Sequence, residues 1–258
     1  QTLKEVDWIA AEDTRNTGLL LKHFDISTKQ ISFHEHNAKE KIPDLIDFLK
    51  AGQSIAQVSD AGLPSISDPG HDLVKAAIEE EIAVVTVPGA SAGISALIAS
   101  GLAPQPHIFY GFLPRKSGQQ KHFFQAKKDY PETQIFYESP HRVADTLENI
   151  LEVYGDRSVV LVRELTKIYE EYQRGKISEL VESIAETPLK GECLLIVEGA
   201  SQDVEEKDEE DLFSEIQSRI QEGMKKNQAI KEVAKIYQWN KSQLYAAYHD
   251  WEENQEND

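Results

Sequence analysis

The chain has 258 residues, of which 40% are hydrophobic and 28% are charged, and its net charge at pH 7 is −18. This length and composition suffice for buried cores in one to three domains, and no stretch approaches the roughly 18 uncharged apolar residues of a membrane-spanning helix. The opening residues QTLKEVDWIA lack the basic and then apolar pattern of a signal peptide, so we expect a cytoplasmic protein.

Two acidic segments hold most of the negative charge. Residues 203–211 carry seven acids against one lysine, and residues 250–258 carry five acids and no lysine or arginine. Because phosphate neutralisation supplies most non-specific affinity for nucleic acids, the net charge argues against such a partner, although an acidic protein can still carry a local basic cleft. The only cysteine, Cys193, lies in the apolar run CLLIV, which predicts a buried strand thiol and no internal disulfide.

Short apolar runs alternate with helical patterns over the first hundred residues. This alternation predicts a mainly parallel sheet, buried on both faces and covered by helices, in an N-terminal lobe over residues 1–103. In chain order the predicted elements are strand WIAA, helix TRNTGLLLKHF, strand QISFH, helix IPDLIDFLKAG, strand SIAQVSD, helix LVKAAIEEE, strand AVVTV and helix SAGISALIASG. The first lobe is followed by APQP, residues 103–106, whose two prolines predict an extended linker.

A second α/β lobe is predicted over residues 104–200. Adjacent strands occur in it as well as helices, so we expect a mixed sheet. It begins with HIFYGFLP and a basic segment at 115–128, and these are followed by strand QIFYES, helix HRVADTLENILEVYG, strand SVVLVREL, segment YEEYQRGKI, helix SELVESIAE and strand CLLIVEG.

The remainder divides into an acidic linker, 201–212, and a small helical module, 213–258. Apolar residues from Ile230 to Tyr237 and from Leu244 to Tyr248 recur at helical spacing, which predicts two amphipathic helices. Asn240 with Gln243 fits a capping box for the second helix. The layout suits a helix-turn-helix, but the second helix offers only Lys241 and His249 as cations, so a plain helical hairpin stays equally open.

The segment SDAGLPSISDPG, residues 59–70, follows a predicted strand and precedes a helix. It therefore lies at the carboxyl end of a strand, where open α/β sheets bind ligands. Asp68 is predicted to cap the following helix with Pro69 at its first position, and Gly62 and Gly70 permit close backbone approach. A capped turn does not by itself account for Asp60 and Gly62, so we interpret these two as functional.

A second loop of the same kind, VPGASAG at residues 87–93, repeats the strand, tight turn and helix. Ser91 also fits a plain N-cap. Two such loops one βαβ unit apart predict a shared small-molecule pocket. No GxxxxGK[ST] motif and no metal-ligand spacing among the eight histidines accompany them, which argues against phosphoryl transfer and predicts no metal.

Polar clusters follow other strands. His34, Glu35, His36 and Asn37 form one, for which a substrate site and an ordinary polar loop both stay open. In the second lobe, polar residues after successive strands favour a site there, although each can also belong to a structural ion pair. These residues are Glu138, Arg142, Arg163 and Glu164, together with Glu192 before the last strand.

Taken together, these segments resemble the tetrapyrrole methylase superfamily, and within it the branch that acts on ribosomal RNA. The resemblance covers residues 1 to about 200. The family pattern also has an opening strand and glycine-containing turn of the form TPIGNL, which precedes the segment at which this sequence begins. The matching segments are AEDTRNTGLLL, SFHEHN, SDAGLPSISDPG, VPGASA, GFLPRK, FYESPHR, RELTK and KGECLLIVEG.

The resemblance implies two α/β/α lobes with S-adenosylmethionine in a cleft between them, bound largely through backbone groups, and a homodimer. It implies methylation of the ribose 2′-hydroxyl of a cytidine in 16S ribosomal RNA, within the small ribosomal subunit. The cofactor-binding residues it implies are Asp60, Gly62, Ile66, Ser91, Ala92, Tyr137, Glu164 and Glu192. The AEDTRNT and SFHEHN segments would engage RNA through Asp13, Arg15, His34, His36 and Asn37.

For this reaction, positioning should dominate, because a positively charged sulfonium leaving group needs little further activation. A ribose hydroxyl is a very weak acid, so a general base would help. Glu138, Asp13 and His36 are the candidates for that base, and the sequence does not choose among them. Phosphate contacts are expected from Arg15, Arg142, Arg163, Arg115 and Lys116.

Two other functions stay open. A methyltransferase acting on a tetrapyrrole or another small acceptor would share the cofactor loops but would not need AEDTRNT or SFHEHN. A non-catalytic RNA-binding assembly factor would keep the fold without cofactor affinity, and its RNA binding would be indifferent to S-adenosylmethionine.

Overall fold

The structure is a computed structural model that describes residues 1–66, 68–186, 189–201, 208–237 and 239–256. The chain forms two compact units, residues 1–200 and residues 201–258. In the part of the chain that is described, no helix has both the length and the apolar character needed to cross a bilayer. The division of the first unit into lobes at residue 103 stays a prediction.

The first half of unit 1 contains a three-stranded parallel sheet of order β2-β1-β3, in which Trp8 aligns with Lys29 on one side and Ile55 on the other. Both faces of the sheet are covered, since Ala10 packs with Leu45 and Leu73 while Ile9 packs with Leu21. Its elements are α1 (Thr2–Glu5), β1 (Trp8–Ala11), α2 (Thr14–His23), β2 (Lys29–Ser32), α3 (Ala38–Lys50), β3 (Ile55–Val58), α4 (Gly70–Glu79) and α5 (Ala92–Ser100).

The predicted strand AVVTV is wrong: residues 82–91 have no regular secondary structure. Among the described residues, β3 pairs only with β1, and the AVVTV segment makes no hydrogen bond to the other edge of β3. A strand needs a ladder partner for its backbone N–H and C=O groups, and this segment has none. Its apolar side chains are correspondingly exposed, with Val85 at 84%.

The second half of unit 1 contains a five-stranded sheet of order β4-β5-β8-β6-β7. Its mixture of parallel and antiparallel strands is what the sequence predicts. Strands β4 and β5 are parallel, and β8 is antiparallel to both of its neighbours, β5 and β6. Its elements are β4 (His107–Phe112), α6 (Ser117–Gln125), β5 (Thr133–Glu138), α7 (Val143–Tyr154), β6 (Ser158–Arg163), β7 (Glu171–Lys176), α8 (Ile177–Glu186) and β8 (Cys193–Val197).

Every residue of β8 is buried, so this strand lies at the centre of the second sheet. On one face Leu195 packs with Leu147 and Phe136; on the other, Ile196 packs with Ala96 and Leu97 of α5. Helix α5 therefore covers the second sheet although it follows the first sheet in the chain. This packing brings the loop before α5 close to the end of β5.

The second unit is a three-helix cluster of α9 (Glu209–Gln221), α10 (Lys226–Ile236) and α11 (Lys241–Glu256). Helix α9 begins inside the predicted linker, 201–212, because the Asp208 carboxylate accepts a hydrogen bond from Asp211 N at 2.9 Å and acids are favourable in a first turn. Residues 202–207 of that linker lie outside the described residues. Asn240 caps α11, accepting from the amides of Ser242 and Gln243.

Candidate functional site

Three polar segments meet at one edge of the first sheet. Because β1, β2 and β3 are parallel, their carboxyl ends share that edge. Backbone hydrogen bonds extend past the strand ends, from Phe33 N to Ala11 O at 2.7 Å and from Glu12 N to Val58 O at 3.2 Å. The AEDTRNT, SFHEHN and SDAGLP segments therefore lie side by side.

Asp60 is held by two residues of the AEDTRNT segment. The side chain of Asn16 donates to Asp60 Oδ2 at 2.9 Å, and the backbone N–H of Asp60 donates to Glu12 Oε2 at 3.0 Å. Sequence reasoning missed both Glu12 and Asn16 as site residues. The available signal was their place in the same motif as Asp13 and Arg15.

Asp13 is the N-cap of α2 and pairs with Arg15. Its carboxylate accepts from the Arg15 backbone at 2.8 Å and from the guanidinium at 3.0 and 2.6 Å. These hydrogen bonds from Arg15 lower the pKa of Asp13 to about 2. A carboxylate of that pKa is a weak base, so its position favours capping and holding Arg15, whose side chain remains 89% exposed.

The SFHEHN turn is shaped by Asn37. Its side chain accepts from His34 N at 2.9 Å and donates to Ser32 O at 3.0 Å. The His34 ring lies 5.9 Å from the His36 ring, and its buried Nδ1 has no hydrogen-bond partner among the described residues. His36 itself is exposed at the same edge.

The loop after β3 is folded around Asp68, whose Oδ1 accepts from Gln57 Nε2, Ser65 N and Gly70 N at 2.8–3.0 Å. Helix α4 begins at Gly70 with Pro69 at the N-cap, one residue later than predicted, so Asp68 reaches the first helical amide from outside the helix. A Cβ on Gly70 would lie 2.1 Å from the Gln57 amide, so a larger residue there would displace Gln57 from its hydrogen bond to Asp68.

Apolar and backbone groups of this loop face outward. Gly62 has a φ of 75°, which disfavours any residue with a Cβ, and Ile66 is 59% exposed. Ser67 lies outside the described residues. The loop thus offers a stretch of accessible backbone with an unburied aliphatic side chain beside it.

The loop before α5 links the first loop to the second sheet. A Cβ on Gly89 would lie 3.3 Å from Leu63, so the two loops touch. Ser91 occupies the N-cap of α5 without a capping hydrogen bond from its side chain, and Ala92 is the first helical residue. Burial raises the pKa of the Tyr137 hydroxyl, and the nearby backbone amide of Gly93 opposes that rise in smaller part. Phe109 and Phe112 contact the Tyr137 ring edge-on.

Glu138, next to Tyr137, is a buried and fully engaged carboxylate. Its side chain has no exposed surface; Oε2 accepts from Thr146 at 2.9 Å and lies 3.1 Å from Arg142, and Oε1 accepts from Ser139 N at 2.8 Å. Arg142 also donates to Pro114 O at 2.7 Å. A carboxylate in this setting cannot touch a macromolecular substrate without rearrangement, so the geometry does not favour Glu138 as the general base.

Of the other predicted cations, Arg115 and Lys116 are exposed in the turn after β4. Arg163 is engaged by Glu171, with guanidinium nitrogens 3.0 and 2.8 Å from one carboxylate oxygen. Arg115 and Lys116 are therefore the cations best placed for phosphates, whereas Arg142 and Arg163 are committed to protein groups and Arg15, although exposed, is paired with Asp13.

Glu164 and Glu192 are joined through Lys167, which lies 2.9 Å from the first carboxylate and 3.1 Å from the second. The hydrogen bond from Lys167 lowers the pKa of Glu164. Gly191 must be glycine, since a Cβ there would lie 2.4 Å from the Glu164 side chain. Among the described contacts, none connects this cluster to the loops at 59–66 and 87–93.

The comparisons with known proteins bear on this arrangement. Residues 1–181 match the sequence model of the tetrapyrrole (corrin/porphyrin) methylases. The chain belongs to the tetrapyrrole methylase family. This methylase is 72% identical over 251 residues to a Streptococcus pyogenes serotype M1 protein named ribosomal RNA small subunit methyltransferase I, a match covering 96% of this chain and 88% of that one.

A protein of the same name from Halalkalibacterium halodurans is 48% identical, covering 96% of this methylase and 88% of the relative. A solved structure of uroporphyrin-III C-methyl transferase from Thermus thermophilus, complexed with S-adenyl homocysteine, has a TM-score of 0.50 at 18% identity, covering 76% and 87% of the two chains. At that identity the likeness shows the fold alone. The predicted family and fold class are confirmed.

Within this methylase, the structure brings together some of the predicted site residues and separates others. Tyr137 and the loops that carry Asp60 and Ser91 form one continuous group through the contacts at Gly89 and Gly93. Asp13, Arg15, His34 and His36 lie at the adjoining sheet edge. Glu164 and Glu192 form a separate cluster, and Glu138 lies underneath the surface.

Proposed function

We propose that this chain transfers a methyl group from S-adenosylmethionine to the ribose 2′-hydroxyl of a cytidine in small-subunit (16S) ribosomal RNA. The observation that carries the proposal is the 72% identity, over 96% of this chain, to a protein named as a small-subunit ribosomal RNA methyltransferase. The AEDTRNT and SFHEHN segments lie beside Asp60 at one sheet edge, as an RNA acceptor next to a cofactor site would require.

The residues of the two loops, 59–66 and 87–93, fit S-adenosylmethionine. Asp60 offers a carboxylate, Gly62 and Ala92 offer accessible backbone groups, and the exposed side chains of Ile66 and Val87 offer apolar surface for an adenine ring. When bound, the cofactor would supply an electrophilic methyl group on a positively charged sulfur. The protein holds the acceptor oxygen in line with that methyl and excludes other nucleophiles, which is a positioning task.

His36 is the general base that the geometry favours. Asp13 is paired with Arg15 at a pKa of about 2, and Glu138 is buried against Arg142. His36 is exposed at the same sheet edge as Asp60, and its ring contacts the ring of His34. We propose that its imidazole removes the 2′-hydroxyl proton as the methyl is transferred.

RNA would be held by exposed cations. Arg115 and Lys116 are exposed in the turn after β4, and Arg15 is 89% exposed although it is paired with Asp13, so all three can reach phosphates from the surface. We propose that the acceptor is the small ribosomal subunit in the cytoplasm and that the methylase acts as a homodimer. Exposed Leu19, Leu20 and Phe24 on α2 give apolar surface that a second copy could cover.

Calorimetric titration with S-adenosylmethionine is the first test. We would titrate this chain and a version extended at its amino end by the strand and turn of the family pattern. We expect micromolar binding that is lost in Asp60→Ala, because Asp60 belongs to the first of the two loops proposed to hold the cofactor. The matched control is Asp250→Ala, an exposed aspartate on α11, which should bind as the wild type does.

Methyl transfer to small ribosomal subunits then tests the acceptor. Labelled methyl should appear on a ribose 2′-oxygen, and His36→Ala should lower kcat by about 10²- to 10⁴-fold with little change in cofactor affinity. Transfer to a tetrapyrrole precursor instead of RNA, or RNA binding without cofactor affinity in both versions, would overturn the proposal. Light scattering on the same samples measures the oligomeric state.

A further inference from the structure

The hairpin between β6 and β7 presents two large side chains at its tip without burying either. Ile168 is 90% exposed and Tyr169 is 68% exposed. Among the described residues, Tyr169 makes no hydrogen bond or ring contact. Isolated apolar side chains are common on surfaces, but an aliphatic and an aromatic residue side by side on a hairpin tip form a contact surface rather than a packing element.

The base of this tip is held in place by several polar contacts. Glu164 N donates to Glu192 O, and Glu192 N donates back to the Glu164 carboxylate, both at 2.9 Å. Lys167 lies between these two carboxylates. Glu164 and Thr166 adopt left-handed φ values of 51° and 66°, conformations that persist only where surrounding contacts fix them. The tip is therefore preorganised.

The tip lies at the same sheet edge as Tyr137. Both β5 and β6 are antiparallel to β8, so they run parallel to each other and their carboxyl ends share one edge. Tyr137 stands at the end of β5 and contacts Gly93 of the loop before α5. The hairpin tip thus extends from the sheet edge at which Tyr137 approaches the loop before α5.

The charges at the tip favour a base rather than a phosphate as the contact. Lys167 is neutralised by Glu164 and Glu192, and Arg163 by Glu171. Both cations of residues 163–171 are thus paired with carboxylates, whereas the ring of Tyr169 is open. Proteins recognise unpaired RNA bases largely by stacking them on aromatic side chains, which tolerates a locally acidic surface because every base has a π-face.

We propose that Tyr169 stacks on a nucleobase of the RNA substrate, with Ile168 packing beside it, and thereby positions the acceptor strand across the site. The inference rests on the proposed function, since it names a contact of that same substrate. Tyr169 is a substrate-positioning residue here, so its loss should weaken RNA binding and leave the chemical step and cofactor affinity in place.

The test is steady-state methyl transfer to small ribosomal subunits. Tyr169→Ala should raise the KM for RNA about tenfold, equivalent to about 1.4 kcal/mol, with kcat and the Kd for S-adenosylmethionine unchanged. Tyr169→Phe should restore the wild-type KM, and Tyr169→Leu should not. Tyr130→Ala is the matched control, because Tyr130 is a 41% exposed tyrosine that precedes β5 and so lies at the opposite end of that strand.

The outcomes separate the two proposals. If the wild type methylates the subunit but Tyr169→Ala keeps the wild-type KM, stacking is overturned while the proposed function stands. Full rescue by Tyr169→Leu would mean that residue 169 makes an apolar contact with a protein and does not stack on a base, which also overturns the proposal. If the wild type transfers no methyl to RNA, both proposals fail together.

Discussion

Two carboxylates that look alike in the sequence have opposite surroundings in the structure. Asp60 follows β3 and Glu138 ends β5, each at the end of an apolar strand. Asp60 is exposed and contacts Asn16, whereas the Glu138 side chain has no exposed surface and lies against Thr146 and Arg142. A strand end therefore predicts which edge a residue occupies but not whether its side chain reaches solvent.

The difference comes from the segment after each strand. After β5 the chain turns directly into α7, whose Thr146 covers Glu138, and Gln120 of α6 closes over both from the other side. After β3 an exposed loop leads to α4, and the described hydrogen bonds of Asp60 are with Asn16 and Glu12. Asp60 therefore stays accessible from solvent, whereas Glu138 is used to fix the fold.

The largest expected effect is therefore on stability, at Glu138. Glu138→Ala removes the carboxylate that pairs with Arg142 and the acceptor that lies 2.9 Å from the Thr146 hydroxyl, so we expect the free energy of unfolding to fall by about 3 kcal/mol. Asp60→Ala should change it by less than about 0.5 kcal/mol, since Asp60 is exposed. Urea unfolding of both variants measures the contrast. A stable but inactive Glu138→Ala protein would restore Glu138 as a catalytic candidate.

A smaller effect is expected on binding, at Asn16. Asn16→Ala removes the 2.9 Å hydrogen bond that orients Asp60, so we expect the Kd for S-adenosylmethionine to rise about fivefold, as for the loss of one hydrogen bond. The urea midpoint should not move. Asn227→Ala, an exposed asparagine in α10, should change neither quantity. If instead the urea midpoint falls and the Kd stays constant, Asn16 supports the fold and not the site.

The smallest effect is expected at Cys193, which aligns with Glu138 in the second sheet. Burial raises the pKa of its thiol to about 11, so at pH 8 almost none is thiolate, the reactive form. A thiol reagent should label the native protein much more slowly than the urea-unfolded protein, and native labelling should accelerate as the pH approaches 11. Rapid native labelling at pH 8 would show that this edge is open to solvent.

Much of the architecture could be predicted because it depends on local pattern. Alternating apolar runs and helical patterns predict β1 to β3, β5, β6 and β8 as strands, and they predict the mixed character of the second sheet, which the structure shows. The strand at AVVTV failed for a non-local reason: apolar composition is sufficient for a strand only where a partner edge is within reach. Helix α9 was missed because its acidic first turn resembled a solvated linker.

The candidate site was predictable to the level of segments and not of side chains. The motifs containing Asp60, Ser91 and Tyr137 do converge, but not at one sheet edge: the loop before α5 touches the loop after β3 at Leu63, and α5 packs on the second sheet beside Tyr137. The roles of Asn16 and Glu138 could not be predicted, since they depend on which side chains from distant elements cover each strand end. Burial is a property of the assembled packing, and a single sequence does not encode it position by position.

The order of strands in the second sheet sets a constraint on synthesis. Strand β8 lies between β5 and β6, which do not pair with each other, and it is the last of the five in the chain. Until Val197 has left the ribosome, the nascent chain can form only the β4–β5 pair and the β6–β7 hairpin, each with an unprotected apolar edge. Closure of this sheet is therefore a late event in translation, and slow elongation or a stall before residue 193 would prolong exposure of both edges.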